Sequence, residues 1–545
     1  MTSTLKDHKF LIFFSILFLT GCWSIDSVLW GLDGFSLWMP VVAEYLRGTY
    51  ENSAVIFGGQ NLLDLYGNLP FWAVLRWLKA SPTQLMNVTF FILVMSFYLF
   101  TLEIYKGLSK KSDNLSSLII FIYCFASPIF LNRVYAGHFN LLFGMLPFLV
   151  AVSLIYNRSK IFSLFAVFVL CCSFSTPSYQ ILAYHFFYIP LLYVWIKSEL
   201  GELPSWYIRK VAGLTLIAIL ISYPNISAMI GNASSNENIR TSAVDVVYSY
   251  LISILSDISS LLMSSFNKFT TRNNFYLFHE INYPIGLTFL SVFFLKVQYR
   301  KISICILLTM VFLFAFSSNM PFLNLFAELP LIKLFRVPQR SIMIAAYLAP
   351  LFFLLVFKDR LNLKSFFFFL AFVFFGNGLP FFELICGLSV AVILFFKKID
   401  KYPELYFSFV FSTLFMGLPD KYVVIRDGNT EFEKNVQAMS EINQKLKLAD
   451  QKIPIHFLDE NAFHLITAAN FIGIPTSEGY GHPPKRNFLR VAKHLKVKIN
   501  PMTNIFSLTE YGRYPEFVPI LKELGIKRIV FKTPSGTYDQ TIIED

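Results

Sequence analysis

Met86-Asn87-Val88-Thr89-Phe90-Phe91-Ile92-Leu93-Val94-Met95-Ser96-Phe97-Tyr98-Leu99-Phe100-Thr101-Leu102-Glu103-Ile104-Tyr105 carries one charge, Glu103, near its end, and runs straight into Lys106, Lys110 and Lys111. A bilayer core of about 30 Å needs about 20 apolar residues in a helix. A helix is favoured there because it satisfies its own backbone hydrogen bonds. Basic loops collect on the cytoplasmic side. The stretch therefore predicts a membrane span and a direction, entering from outside and leaving inside.

The same pattern recurs on both sides of it. Spans are expected near 10–28, 115–132, 139–156, 161–175, 178–196, 208–224, 283–299, 302–318, 340–357, 365–378, 380–396 and 403–418, giving about thirteen in all. Every second loop is basic: Arg158 and Lys160; Lys197, Arg209 and Lys210; Lys296, Arg300 and Lys301; Lys358, Arg360 and Lys364; Lys397, Lys398 and Lys401. With Lys6 and Lys9, these loops place the N-terminus inside, and an odd number of spans leaves the tail from about 420 outside. Leu19-Thr20-Gly21-Cys22 also reads as a lipoprotein cleavage box. The apolar stretch before it serves equally as a permanent first span.

Composition agrees. Of 545 residues, 55% are hydrophobic and only 15% charged, with 62 Phe; mean hydropathy is +0.56. Soluble domains carry about 25% charged residues. The net charge of +12 would raise nucleic acid as a partner in a soluble chain, but here the loop cations account for it and no nucleic acid is expected. Cys22, Cys124, Cys171, Cys172, Cys305 and Cys386 all fall in apolar runs, with none after 420, so neither a disulfide framework nor a CxxC metal site is present. No Walker, HExxH, GxSxG or tandem DxD pattern supports nucleotide-driven transport or zinc hydrolysis.

The chain divides at about 419. Residues 1–419 form the membrane part, with long outer loops 30–84 and 225–282, and residues 420–545 form a soluble α/β domain. In the first loop, Trp38, Val41, Val42 and Tyr45 recur at helical spacing. So do Phe71, Val74, Leu75 and Leu78, after Asn68 as a cap and Pro70 in the first turn. Both are expected as short amphipathic helices on the outer membrane surface. In the tail, 422–425, 455–458 and 528–531 read as strands, 431–449 as a polar helix, and 515–524 as a helix ending at Gly525.

Long ordered loops carry function, and the residues suited to chemistry cluster in the outward ones. Asp33, between Gly31 and Gly34, sits just past the outer end of the first span. A carboxylate at an interface, flanked by glycines that admit a ligand, suits general-base work on a hydroxyl; it also suits an ordinary turn cap. Phe57 to Pro70 is glycine-punctuated and polar. Its Gln60, Asn61, Asp64 and Tyr66 either line a sugar site or belong to a linker, with Asp64 a weaker carboxylate than Asp33. Arg133 and His138 flank a tight outward turn. They either meet a phosphate or form a snorkelling cation and an interfacial aromatic cluster. Phe335-Arg336-Val337-Pro338-Gln339-Arg340 is basic on the outer side, against the usual tendency, and Arg forks onto phosphate as Lys does not. His279 and Glu280, before Asn282-Tyr283-Pro284-Ile285-Gly286, lie near the membrane, either on the surface or in the same cavity. The tail loop Glu478 to Arg486 is polar and is a further place for an acceptor glycan to rest.

Taken in order, Trp30-Gly31-Leu32-Asp33-Gly34, Gly58 to Pro70, Phe335-Arg336-Val337-Pro338-Gln339-Arg340 and Leu524-Gly525-Ile526-Lys527-Arg528-Ile529-Val530 resemble the YfhO-like bacterial membrane proteins of the GT-C glycosyltransferase type. The resemblance runs over most of the chain as order and topology. It implies a polytopic α-helical protein of the bacterial inner membrane, GT-C-like, with an extracytoplasmic mixed α/β domain. It implies an inverting transfer from a polyprenyl-phosphate sugar to a cell-envelope glycan or glycolipid on the outer face. By carry-over, Asp33 activates the acceptor, and Arg336 and Arg340, with Arg133, bind the donor phosphate. Some GT-C enzymes hold a divalent metal, Mg or Mn, between paired acids. The motif here has Asp33 and no close second acid, so a metal requirement stays open. A flippase or exporter, or a non-catalytic scaffold, is the competing expectation. Transport would require polar residues in mid-span, and only Glu103 and Glu383 approach that, each near a span end.

Overall fold

The computed structural model describes residues 39–48, 69–109, 139–176, 182, 185–235, 300–317, 431–448, 455–458, 463–476, 518–519, 521–522 and 526–543. The expected spans at 10–28, 115–132 and 283–299, every expected span beyond 317, and the expected strand at 422–425 lie outside them.

Two short helices open the described chain, α1 (Met39–Arg47) and α2 (Trp72–Trp77). The long apolar helices follow: α3 (Pro82–Ser109), α4 (Phe139–Tyr156), α5 (Lys160–Phe174), α6 (Ile189–Leu200), α7 (Ser205–Ser235) and α8 (Arg300–Ser317). Among the described residues three helices are long and apolar enough to cross a membrane: Pro82–Ser109, Phe139–Tyr156 and Ser205–Ala228. The α3 helix starts four residues before the expected span because Ser81 and Gln84 form a capping box. The Gln84 amide donates to Ser81 Oγ at 3.2 Å, and the Ser81 amide donates to Gln84 Oε1 at 2.8 Å. Pro82 then occupies the first position, where its missing N–H costs nothing. Ser159 caps α5 through the Phe162 amide at 3.2 Å. The span expected at 178–196 is different in detail: a 3-10 turn (His185–Tyr188) leads into α6, which starts with Pro190 in its first turn and ends at Gly201 with φ +78°.

Pro147 lies inside α4, so the Phe143 carbonyl four residues earlier loses its helical donor. Ser173 of α5 supplies one. Its Oγ lies 2.7 Å from Phe143 O and 3.0 Å from its own Val169 O, sharing one proton between them. Ser222 of α7 likewise donates to Cys171 O at 3.2 Å and lies 3.1 Å from Ser175 Oγ. Hydroxyls thus tie α4, α5 and α7 together where lipid offers no partner.

One end of this bundle collects the ends of α3, α4, α5, α6 and α7. There Asn157 Nδ2 donates to Glu103 Oε2 at 3.1 Å, Trp195 Nε1 to Tyr156 OH at 2.7 Å, and Tyr207 OH to Ala151 O at 2.7 Å. The basic loops expected to share a side, around Lys106, Arg158 and Lys197 to Lys210, meet here.

The tail contains α9 (Glu431–Leu446), β1 (Ile455–Leu458), α10 (Phe463–Ile472), β2 (Arg528–Lys532) and β3 (Tyr538–Ile542). β1 pairs parallel with β2, Ile455 opposite Arg528, and β2 pairs antiparallel with β3, Arg528 opposite Ile542. Ile455, Phe457 and Val530 pack with Met439, Ile442 and Leu446 of α9 and Leu465, Ile466 and Ala469 of α10. β1, β2 and α9 fall where 455–458, 528–531 and 431–449 were read as strands and a polar helix; α10 and β3 are additions.

Candidate functional site at the first outward loop

None of the residues singled out for chemistry is among the described ones. Asp33, Gln60, Asn61, Asp64, Tyr66, Arg133, His138, His279, Glu280, Arg336 and Arg340 all lie outside them. What is described is the ground on which three of their segments stand.

The α1 helix begins six residues after Asp33. Its sequence, Met-Pro-Val-Val-Ala-Glu-Tyr-Leu-Arg, was expected to lie on the membrane surface with one face free. Instead Met39 through Tyr45 are all buried, because α3 covers one side and α10 of the tail covers another. Burial of each large apolar side chain contributes about 2 kcal/mol. At its end, Arg47 donates from Nη1 to Phe471 O and from Nη2 to Asn470 O, the latter at 3.2 Å. These are carbonyls at the C-terminus of α10, where a cation is favoured by the helix dipole. Desolvation lowers the pKa of the Arg47 guanidinium, and the Glu44 carboxylate one turn earlier pulls it back up; the group stays charged. Glu44 is itself only 2% exposed.

The second segment, after Tyr66, enters α2. Trp72 and Leu75 are buried, and Trp72 meets the Tyr45 ring edge-on at 5.5 Å. Its indole Nε1 donates to Thr89 Oγ1 of α3 at 3.0 Å. Val74, Trp77 and Leu78 stay exposed beside Arg76 and Lys79, the free apolar face expected of a surface helix. Of the Phe71, Val74, Leu75 and Leu78 stripe, Leu75 is buried beside Trp72, while Val74 and Leu78 are exposed. Gly48 ends α1 at φ +73°, and a Cβ there would meet the Arg76 guanidinium at 2.1 Å. Arg76 in turn lies 5.7 Å from the Tyr45 ring centre.

The third segment, ending at His138, enters α4 through Phe139. That ring is buried and lies 6.5 Å from Phe90 of α3. The helices that follow the three segments are thus linked: α2 meets α3 at Thr89, α4 meets it at Phe90, and α1 meets α2 through Tyr45 and Trp72.

Glu44 and Arg47 were not anticipated. Their spacing of three residues on one helix face was the available signal, but nothing in it announced a partner more than four hundred residues away. Among the described residues no group of three or more His, Cys, Asp or Glu could hold a metal ion.

No family model and no curated protein matches this sequence. Among solved structures, the chain is similar to the archaeal oligosaccharyltransferase AglB from Archaeoglobus fulgidus in complex with an inhibitory peptide and a dolichol-phosphate. The TM-score is 0.40 and the identity 11%, over 98% of this chain and 74% of that one. It is also similar to the arabinofuranosyltransferase AftD from Mycobacteria, with a TM-score of 0.44 and 11% identity, over 96% of this chain and 35% of that one. At this level the likeness assigns neither fold nor activity.

Proposed function

We propose that this chain is a membrane glycosyltransferase of the GT-C type, moving a sugar from a polyprenyl-phosphate donor to a cell-envelope glycan or lipid on the outer face of a bacterial inner membrane. The observation that supports the reading is that the helices following the Asp33, Gln60–Tyr66 and Arg133–His138 segments, α1, α2 and α4, all lie against α3, with Trp72 bonded to Thr89 and Phe139 beside Phe90. A site built from several loops requires such helices to share one end of the bundle. The packing of α1 on α10 supports a tail on the same side as the first loop.

In this reading Asp33 accepts the proton of an acceptor hydroxyl. The acceptor oxygen attacks the anomeric carbon, and the bond from that carbon to the phosphate oxygen breaks with inversion. The electron pair leaves on the phosphate, whose charge Arg336, Arg340 and Arg133 stabilise. Gln60, Asn61 and Tyr66 offer amide and aromatic surfaces to the sugar, and His279 and Glu280 border the same cavity.

The transport alternative is less supported. Transport calls for charged residues in mid-span, and Glu103 lies instead near the end of α3, bonded to Lys106 and Asn157.

The test is a deletion strain complemented with wild type or Asp33→Asn at matched membrane levels, with envelope glycans read by mass spectrometry. Loss of a sugar on deletion, restored by wild type and not by Asp33→Asn, is the expected result. Full restoration by Asp33→Asn removes Asp33 as the base and brings transport or scaffolding forward.

A further inference from the structure

The end of the bundle where α3 finishes and α7 begins carries an unbalanced set of charges. Between 157 and 210 the described chain has Arg158, Lys160, Lys197, Arg209 and Lys210 against Glu199 and Glu202. Among the described residues none of these five cations makes an ion pair; Lys106 with Glu103, at 3.4 Å, is the pair that does form at this end. The cations are not spread evenly either. The Arg158 guanidinium carbon lies 3.8 Å from the centre of the Trp206 ring, a close cation–π stack. Lys210 follows Trp206 by four residues on α7, on the same helical face, one turn further along. Trp206 lies edge-on to Tyr207 with ring centres 5.8 Å apart, Trp195 at the same end of the bundle donates to Tyr156, and Lys197 lies 6.0 Å from the Tyr193 ring centre. Trp and Tyr concentrate at headgroup level. Stacking fixes the Arg158 side chain in place without neutralising it, so its N–H groups remain able to fork onto an oxyanion.

We propose that Arg158, seated on Trp206, and Lys210 form a binding site for the phosphate of an anionic phospholipid headgroup, with Lys160, Lys197 and Arg209 as its basic rim. The occupant is a lipid and not a soluble anion because the site sits at the ends of α5 and α7, and α7 presents Leu216, Ile217, Leu220 and Ile221 outward just beyond it. A headgroup phosphate at Arg158 leaves its acyl chains along that apolar face. The site stands apart from the proposed transfer reaction and involves none of its residues.

The test uses the full chain purified in detergent, with phosphatidylglycerol, phosphatidylcholine of the same acyl chains, and inorganic phosphate as separate probes. Bound lipid is counted by native mass spectrometry, and stabilisation is followed by thermal melting. The wild type should retain and be stabilised by phosphatidylglycerol, and far less by the other two probes. Each basic residue near an anionic surface contributes enough that Arg158→Gln or Lys210→Gln should weaken retention by about fivefold. Lys434→Gln on the tail helix α9, an equal change of charge, should leave it unchanged. Circular dichroism confirms that each variant is folded. Lys160→Gln and Lys197→Gln, at exposed positions, give a second reading should Arg158→Gln fail to fold. Equal retention of phosphatidylcholine, equal stabilisation by inorganic phosphate, or an equal effect of Lys434→Gln overturns the site.

Discussion

Arg47 Nη2 donates to the carbonyl of Asn470 at 3.2 Å, across 423 residues of chain, so the last turn of α10 in the tail is capped by the last residue of a helix in the first loop. The tail's other long helix ends in the same way: Arg528 of β2 donates from Nη1 to Lys447 O at 3.4 Å, just past α9. The two arginines do the same electrostatic work, satisfying carbonyls that a helix leaves open. Only Arg47 does so from outside the tail.

Arg47→Ala should therefore loosen two elements at once. Charge-assisted hydrogen bonds contribute about 1.5–3 kcal/mol when buried, and the exposure of Arg47 brings the expected loss to about 1 kcal/mol. Hydrogen exchange on the full chain should show faster exchange in both 463–472 and 39–47. Arg47→Lys should restore part of the protection, since Lys reaches one carbonyl but cannot fork. Faster exchange in 463–472 alone would mean that α1 does not depend on the tail.

Gly473 follows α10 at φ +90°, and a Cβ there would stand 3.4 Å from the Arg47 guanidinium carbon. The amides behind it close the helix end, Ile474 N donating to Ala469 O at 2.9 Å. Gly473→Ala should cost about 1–2 kcal/mol from the left-handed backbone alone, and it also presses on Arg47. The melting temperature should fall, and the effects of Gly473→Ala and Arg47→Ala should be non-additive because they act on one contact. Strict additivity would separate the two.

The legibility of this chain follows where contacts are local. The α3, α4 and α7 helices are written in long, mostly apolar runs, and the Ser81–Gln84 box is written in four residues. Strands β1 and β2 are apolar enough to read; β3, Tyr-Asp-Gln-Thr-Ile, is an exposed edge with no apolar alternation. The α10 helix, Phe-His-Leu-Ile-Thr-Ala-Ala-Asn-Phe-Ile, shows no clear stripe because the tail core lies on one side and α1 on another. For the same reason α1 read as a surface helix: its second covering comes from the far end of the chain. The candidate site was legible only as residue types in outward loops. The packing that seats the neighbouring helices, such as Trp72 on Thr89, is written in no local pattern.

Trp72 joins the first loop to the bundle through one polar and one aromatic contact. Trp72→Phe keeps a ring against Tyr45 and removes the indole donor to Thr89. A hydrogen bond of this kind contributes about 1 kcal/mol. Thr89 loses little in exchange, because its hydroxyl already donates to Leu85 O at 2.8 Å. The expected result is a small drop in melting temperature for Trp72→Phe and a larger one for Trp72→Ala, which also leaves a cavity. Equal drops would show that the indole N–H, and not the ring, holds the loop.

Ser173 and Pro147 make the sharpest case, since each residue explains the other. Proline at 147 deprives Phe143 O of a donor, and Ser173 Oγ lies 2.7 Å from that oxygen. Ser173→Ala should destabilise the bundle by roughly 0.6–1.7 kcal/mol, the range for hydrogen bonds between membrane helices. Pro147→Ala returns a backbone N–H to the Phe143 carbonyl. In the Pro147→Ala background, Ser173→Ala should then cost much less, because the carbonyl no longer depends on the serine. The pair is a double-mutant cycle, measured by denaturation of the full chain in mixed micelles. If Ser173→Ala costs the same in both backgrounds, its value lies in the 3.0 Å contact to its own Val169 carbonyl, and the proline gap in α4 is closed by something else.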